Sequence, residues 1–128
     1  MKLISQKSNT IIEGLINKNL DLVPYVEEAC LIVNTTPVGM NNKNISDSKI
    51  PLGLEIWNSL SSKTILYDLI YTPKPTNWLK VGRQKNCLTI DGLDMLVNQG
   101  ALSIKLWSGF DNVPTKTMKL CAETHLMV

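Results

Sequence analysis

Three polar segments carry the residue types from which a ligand site is built. They are Asn34-Thr35-Thr36-Pro37-Val38-Gly39-Met40, Tyr67-Asp68-Leu69-Ile70-Tyr71-Thr72-Pro73, and the run from Asp91-Gly92-Leu93-Asp94-Met95 to Gln99. Each follows a short apolar run, which places each at the carboxyl end of an expected strand. That edge is where open α/β sheets bind ligands. Asp68 and Asp91 invite a reading as a carboxylate pair for acid–base work, but both sit where an aspartate caps a turn or a helix. His125 has no partner nearby in sequence for a catalytic or metal role. The three cysteines, Cys30, Cys87 and Cys121, are widely spaced and odd in number. They form neither a metal-ligand pattern nor a disulfide framework. Cys30 and Cys87 lie in apolar runs and read as small core residues, while Cys121 has mixed surroundings and is the best candidate for a reactive thiol.

The elements that must hold these tips alternate in type. Leu22, Val23, Val26 and Ala29 recur at helical spacing, with Asp21 placed to cap and Pro24 in the first turn. Cys30 to Val33 runs apolar without alternation, as in a strand covered on both faces. Residues 39–49 read as a surface loop, and Leu54, Trp57 and Leu60 as a short helix. Thr64 to Tyr71 is the next strand, ended by the two prolines of Thr72-Pro73-Lys74-Pro75. Thr76 caps a helix running to about Asn86, and Cys87 to Ile90 is a third strand.

Residues 92–109 give the strongest helix pattern, with Leu93, Val97, Gly100, Ile104 and Trp107 on one stripe and Met95, Gln99, Leu102 and Leu106 on the next. Pro114 to Leu126 reads as a closing amphipathic helix. Strands alternating with helices predict an α/β fold with a parallel sheet. Residues 21–128 form its main body. Residues 1–20 are poorly defined, with a helix end over Met1 to Lys7 and a short strand at Thr10-Ile11-Ile12.

At 128 residues the chain fits one domain, and its formal net charge of +2 is too small to imply nucleic acid or an acidic membrane surface as partner. The lysines are scattered and read as solvated surface. No signal peptide and no bilayer-spanning run is apparent, so a reducing, cytoplasmic location is expected. Asn44-Ile45-Ser46 is then a chance match to a glycosylation pattern.

In this order and at these intervals the three motifs, followed by Trp107-Ser108-Gly109, resemble the carboxyl-terminal part of the shikimate dehydrogenase family. The resemblance implies a partial Rossmann-like parallel sheet of three to four strands flanked by helices. It also implies NADP as cofactor, and shikimate and 3-dehydroshikimate as substrates in aromatic amino-acid biosynthesis. It assigns substrate contact to Tyr71 and Gln99. It assigns the cofactor side to Asn34, Thr35 and Thr36, to the backbones of Leu69 and Gly92, and to the thioether of Met95.

A neutral amide such as Gln99 suits a polyol, since it donates and accepts without burying a charge. Glycine at 92 permits close approach of a flat ring. Plainer readings stand beside these: Tyr71 as the end of a strand, Gln99 as partner to a backbone group, Gly92 as a turn glycine and Met95 as core.

The resemblance also exposes what these residues do not supply. The family's catalytic lysine and aspartate belong to an amino-terminal domain with no counterpart here, so no catalytic residue is carried over. The seven glycines are isolated, no G-x-G-x-x-G loop precedes a helix, and the only arginine, Arg83, lies in the wrong segment for a 2′-phosphate. The isolated chain is therefore expected to be inactive and to bind NADP weakly or not at all. Its edge strand from Leu31 to Asn34 is expected to be open to self-association or to a separately encoded amino-terminal half. Alternatives are a non-catalytic remnant or module that completes a sheet with a partner chain, and a fragment of a quinate-using relative. No metal, nucleic acid or membrane is expected.

Overall fold

Three short runs pair in parallel: β1 (Leu31–Asn34), β2 (Ile65–Asp68) and β3 (Leu88–Ile90) form one sheet in the order β1-β2-β3. The computed structural model describes residues 11–15, 22–40 and 50–126. Among these lie helices α1 (Val23–Glu28), α2 (Leu54–Trp57), α3 (Asn77–Gln84), α4 (Leu93–Ser108) and α5 (Thr115–Leu126). Leu31 pairs with Ile65 and Ile65 with Leu88, and Asn34 lies beside Asp68. The carboxyl ends of β1 and β2 are level, so the first two motifs begin side by side.

Strands that follow one another across a parallel sheet return by right-handed crossovers on a single face. The core is on that face. Leu66 of β2 is fully buried among Ile56 and Trp57 of α2, Trp78 and Leu79 of α3, and Val26, Leu60 and Cys87. The Trp57 and Trp78 rings meet at 5.4 Å between centroids, tilted by 54°. On the opposite face, Leu31 and Leu88 are 53% and 60% exposed, with Val33 and Ile90 also open. The expectation that the first strand is covered on both faces is therefore corrected, and Cys30 is exposed rather than core. An apolar run records that both faces shun water. It does not record that this chain covers them both.

β1 is an edge strand among the described residues. The carbonyls of Cys30, just before it, and of Asn34 at its end accept from the Ile65 and Leu69 N–H groups at 2.9 and 3.1 Å. By the alternation of parallel strands, the backbone groups of Leu31 and Val33 point to the open edge.

Element ends follow local chemistry. The Thr76 hydroxyl caps α3 by accepting from the Leu79 N–H, and α3 ends at Gln84, slightly short of the expected limit. Pro24 sits in the first turn of α1, whose cap position is Leu22 without a side-chain bond; the expected cap Asp21 lies outside the described residues. β2 stops at Asp68 rather than Tyr71, because the Asp68 carboxylate accepts from the Ile70 N–H and turns the chain. Gly109 ends α4 with φ of 73°, its N–H bonded to the Lys105 carbonyl, as a left-handed cap requires.

Two helix expectations need correction. In α4 only Leu93, Val97 and Ala101 are buried, whereas Trp107 is 85% and Leu106 82% exposed. α5 buries no residue at all and touches α4 through Met118 over Gly100 and through an ion pair from Lys119 to Asp94. Residues 11–15 are neither helix nor strand, so the short strand expected at Thr10 to Ile12 is not formed at Ile11 and Ile12. Thr10, the helix end expected over Met1 to Lys7 and residues 41–49 of the loop expected at 39–49 lie outside the described residues. No helix among the described residues is long and apolar enough to cross a membrane.

Candidate functional site

The strand tips are joined by a buried hydrogen-bond network centred on Asp68. Its carboxylate is fully buried and accepts from Asn34 Nδ2 at 3.0 Å, from the Ile70 N–H at 3.1 Å and from Thr76 Oγ1 at 2.7 Å. Burial of a carboxylate is tolerated when its lone pairs meet donors, as here. Asn34 is equally committed. Its Nδ2 also donates to the Val38 carbonyl at 3.2 Å, and its Oδ1 accepts from the Thr36 N–H and hydroxyl at 3.0 and 2.7 Å. Asn34 therefore shapes the loop, leaving Thr35 and Thr36 exposed at its surface.

The second and third motifs meet through backbone. The Gly92 N–H donates to the Ile70 carbonyl at 3.1 Å, immediately before Tyr71. Leu69, Tyr71 and Met95 are half-buried, Gly92 is buried and Gln99 is exposed. Along α4, Gly92, Met95 and Gln99 fall at steps of three and four and share a face, spanning about 10 Å of helix. The buried residues Leu93, Val97 and Ala101 lie on the opposite side. Met95 and Gln99 thus project away from the core. The geometry brings Leu69, Tyr71, Gly92 and Met95 to one strand-tip region. Gln99 stands two turns along the helix that leaves it. Thr35 and Thr36 stand one strand over.

A charged rim went unread in the sequence. Lys74, from the proline-rich segment after Tyr71, pairs with Asp91 at 3.2 Å, and Asp91 also caps the start of α4 by accepting from the Leu93 N–H at 3.1 Å. Lys119 pairs with Asp94 nearby, and the hydrogen bond to that carboxylate is the main reason its ammonium is held above the usual lysine range. The sequence signal for Lys74 was weak, since its partner lies on another strand tip. Among the described residues no group of three or more His, Cys, Asp or Glu side chains could hold a metal.

The arrangement offers backbone, phenol and thioether groups at the strand tips, bordered by the Lys74–Asp91 pair, with the Gln99 amide farther along α4. Arg83 is exposed and donates to Thr89 Oγ1 at 3.1 Å, away from the tips.

A family model described as the Shikimate 5'-dehydrogenase C-terminal domain matches residues 92–119, the stretch that contains Gly92, Met95 and Gln99. A shikimate dehydrogenase (NADP(+)) of Prochlorococcus marinus (strain MIT 9215) is 46% identical over 126 residues, covering 98% of this chain and 44% of its own length. A solved shikimate dehydrogenase in complex with NADP+ superimposes with a TM-score of 0.63 at 35% identity, over 75% of this chain and 31% of its own. The enzyme of Thermus thermophilus, solved with NADP(H) and shikimate, gives a TM-score of 0.67 at 30% identity, over 80% of this chain and 36% of its own. The chain thus spans less than half the length of the curated relatives it matches. By sequence and by fold it belongs to the shikimate dehydrogenase family and corresponds to its carboxyl-terminal part.

Proposed function

We propose that this chain supplies the nicotinamide-facing and part of the substrate-facing wall of an NADP-dependent shikimate dehydrogenase site. In this reading further polypeptide, docked on the open edge of β1, completes the site. The observation that carries the reading is the Gly92 to Ile70 hydrogen bond, which gathers the second and third motifs at one sheet edge. The relatives named above bind NADP or act with it, and two of their complexes hold the same cofactor.

Each group then has a task. The backbones of Leu69 and Gly92 and the thioether of Met95 form a surface for the nicotinamide end. Asn34 sets the Thr35 and Thr36 loop beside it. The Tyr71 phenol and the Gln99 amide hydrogen-bond the substrate hydroxyls and orient its ring. When bound, the cofactor supplies the hydride for the C3 carbonyl of 3-dehydroshikimate. The proton for the resulting oxygen comes from groups outside these 128 residues.

The pyrophosphate is the weak point of this wall taken alone. Glycine-rich backbone N–H donors at a helix start are what hold it in a Rossmann unit, and this sequence has none. Charge-assisted contacts are worth about 1.5–3 kcal/mol each, so their loss lowers affinity by several powers of ten. Exposed Leu31 and Val33, on a strand whose outer backbone groups have no neighbour among the described residues, favour completion by another chain. The three free thiols fit the reducing cytoplasm proposed as the location.

The test is complementation. The chain alone is expected to give no NADP reduction with shikimate above background. Mixed with an amino-terminal family fragment bearing the glycine-rich loop and the catalytic lysine, it is expected to form a complex by light scattering and to gain activity. That activity should fall at least tenfold with Gln99→Ala. A stable complex without activity, or activity indifferent to Gln99 and Tyr71, overturns the proposal.

A further inference from the structure

We propose that Asp68 is a positioning residue that couples the Asn34–Thr36 loop to the Leu69–Tyr71 segment, so that both walls of the strand-tip site are set as one unit. The naming of these walls as cofactor and substrate sides rests on the function proposed above. The coupling itself rests on hydrogen bonds alone. Asp68 Oδ1 is shared between Asn34 Nδ2 at 3.0 Å and the Ile70 N–H at 3.1 Å. One oxygen therefore holds a side chain of the first segment and the backbone of the second.

The chain of contacts continues outward on both sides. Asn34 Oδ1 fixes the Thr36 N–H, and the Thr36 hydroxyl lies 3.3 Å from the Val38 N–H. Ile70 in turn accepts from Gly92, which carries the third motif. A second bond, from the Leu69 N–H to the Asn34 carbonyl at 3.1 Å, runs alongside the first. The other carboxylate oxygen, Oδ2, takes the Thr76 hydroxyl at 2.7 Å and anchors the group to the start of α3. All of Asp68, Asn34 and Thr76 are at least nine-tenths buried, so water does not compete for these bonds.

The bland alternative is that Asp68 only supports the cap of α3 through Thr76. A carboxylate dedicated to that task would need one acceptor, not the oxygen that bridges Asn34 and Ile70. The two roles part under substitution. Asn34→Ala cuts the bridge on the loop side and leaves Asp68, Ile70 and Thr76 in contact. Thr76→Val cuts only the helix side.

Amide hydrogen exchange on the full chain reads the difference without any ligand. With Asn34→Ala, exchange is expected to rise at least tenfold at residues 35–40 and also at Ile70 and Tyr71, while Leu66 and Val97 stay as before. Thr76→Val is expected to affect only the first turn of α3. Asp68→Asn, in which an amide replaces one acceptor, is expected to loosen both segments together. Should Asp68→Asn fail to fold, the Asn34 and Thr76 variants still decide.

A response to Asn34→Ala confined to residues 35–40, or an even rise across all amides, overturns the coupling. In the complemented enzyme the same variant is expected to raise KM for NADP and shikimate together, and Thr76→Val neither. Exchange results as expected in a complex that never shows activity would uphold the coupling and defeat the proposed function instead.

Discussion

Gly92 and Leu69 share a contact that no side chain could enter. A Cβ built on Gly92 would lie 2.0 Å from the Leu69 carbonyl oxygen and 2.4 Å from its carbon. Gly92 is buried there, bonded by its N–H to Ile70, so two strand tips meet backbone to backbone. The close approach that requires glycine is made by the protein's own chain, and it fixes where α4 leaves the sheet.

Gly92→Ala therefore has no inexpensive relief, since the obstacle is backbone rather than a flexible side chain. We expect a loss of about 3 kcal/mol in urea unfolding. Gly109→Ala is the control. Its φ of 73° carries strain of about 1 kcal/mol, but among the described residues nothing stands within 4 Å of the added carbon. Equal losses at the two positions would show that the Leu69 contact yields easily.

The thiols should separate by accessibility. Cys30 and Cys121 are exposed, while Cys87 is buried and donates its S–H to the Ser61 carbonyl at 3.3 Å. Disulfide-reagent titration at pH 8 is expected to count two fast thiols and one at least tenfold slower.

Cys87 also carries a pH dependence. Burial pushes its thiol above the ordinary value of 9.0, opposed in part by Lys85. The native state then holds this proton more tightly than the unfolded chain does. Its contribution to stability is complete below about pH 9 and declines as pH rises towards the folded value. Cys87→Ala is expected to flatten the alkaline limb of stability against pH, with a loss of about 1 kcal/mol at neutral pH from the cavity.

The two core tryptophans should respond differently to the same change. Trp57 Nε1 donates to the Pro51 carbonyl, whereas Trp78 Nε1 is buried without a partner among the described residues. Replacement by phenylalanine removes a bond in the first case and an orphan donor in the second. Trp57→Phe is expected to be the more destabilising by about 1 kcal/mol, measured by denaturant unfolding followed by the fluorescence of the remaining tryptophans.

α5 is held mainly at its surface, by Lys119 on Asp94 and Met118 on Gly100. Asp94→Ala is expected to speed amide exchange across residues 115–126 while leaving β2 and α3 unchanged. Moderate salt should produce part of the same effect in the unsubstituted chain.

Much of the fold is legible in the sequence. Parallel strands separated by helices follow from apolar runs at Cys30–Val33, Thr64–Tyr71 and Cys87–Ile90 alternating with periodic segments. Thr76 and Gly109 mark helix ends through properties of single residues, a hydroxyl acceptor and freedom at positive φ. Burial was less legible. Leu31, Val33, Cys30, Trp107 and Leu106 have core-like character but are exposed, because covering them depends on groups far away in sequence or outside it.

Local chemistry, written in neighbouring residues, determined the strand–helix order and the three motifs at strand tips. Tertiary structure decided the rest. Parallel register set Asn34 beside Asp68 across 34 residues of sequence, and the resulting carboxylate bridge made one device of two motifs. The reason is that register, face coverage and backbone contact such as Gly92 on Leu69 are properties of pairs. A residue's type limits which pairs are possible, but only the folded path selects one.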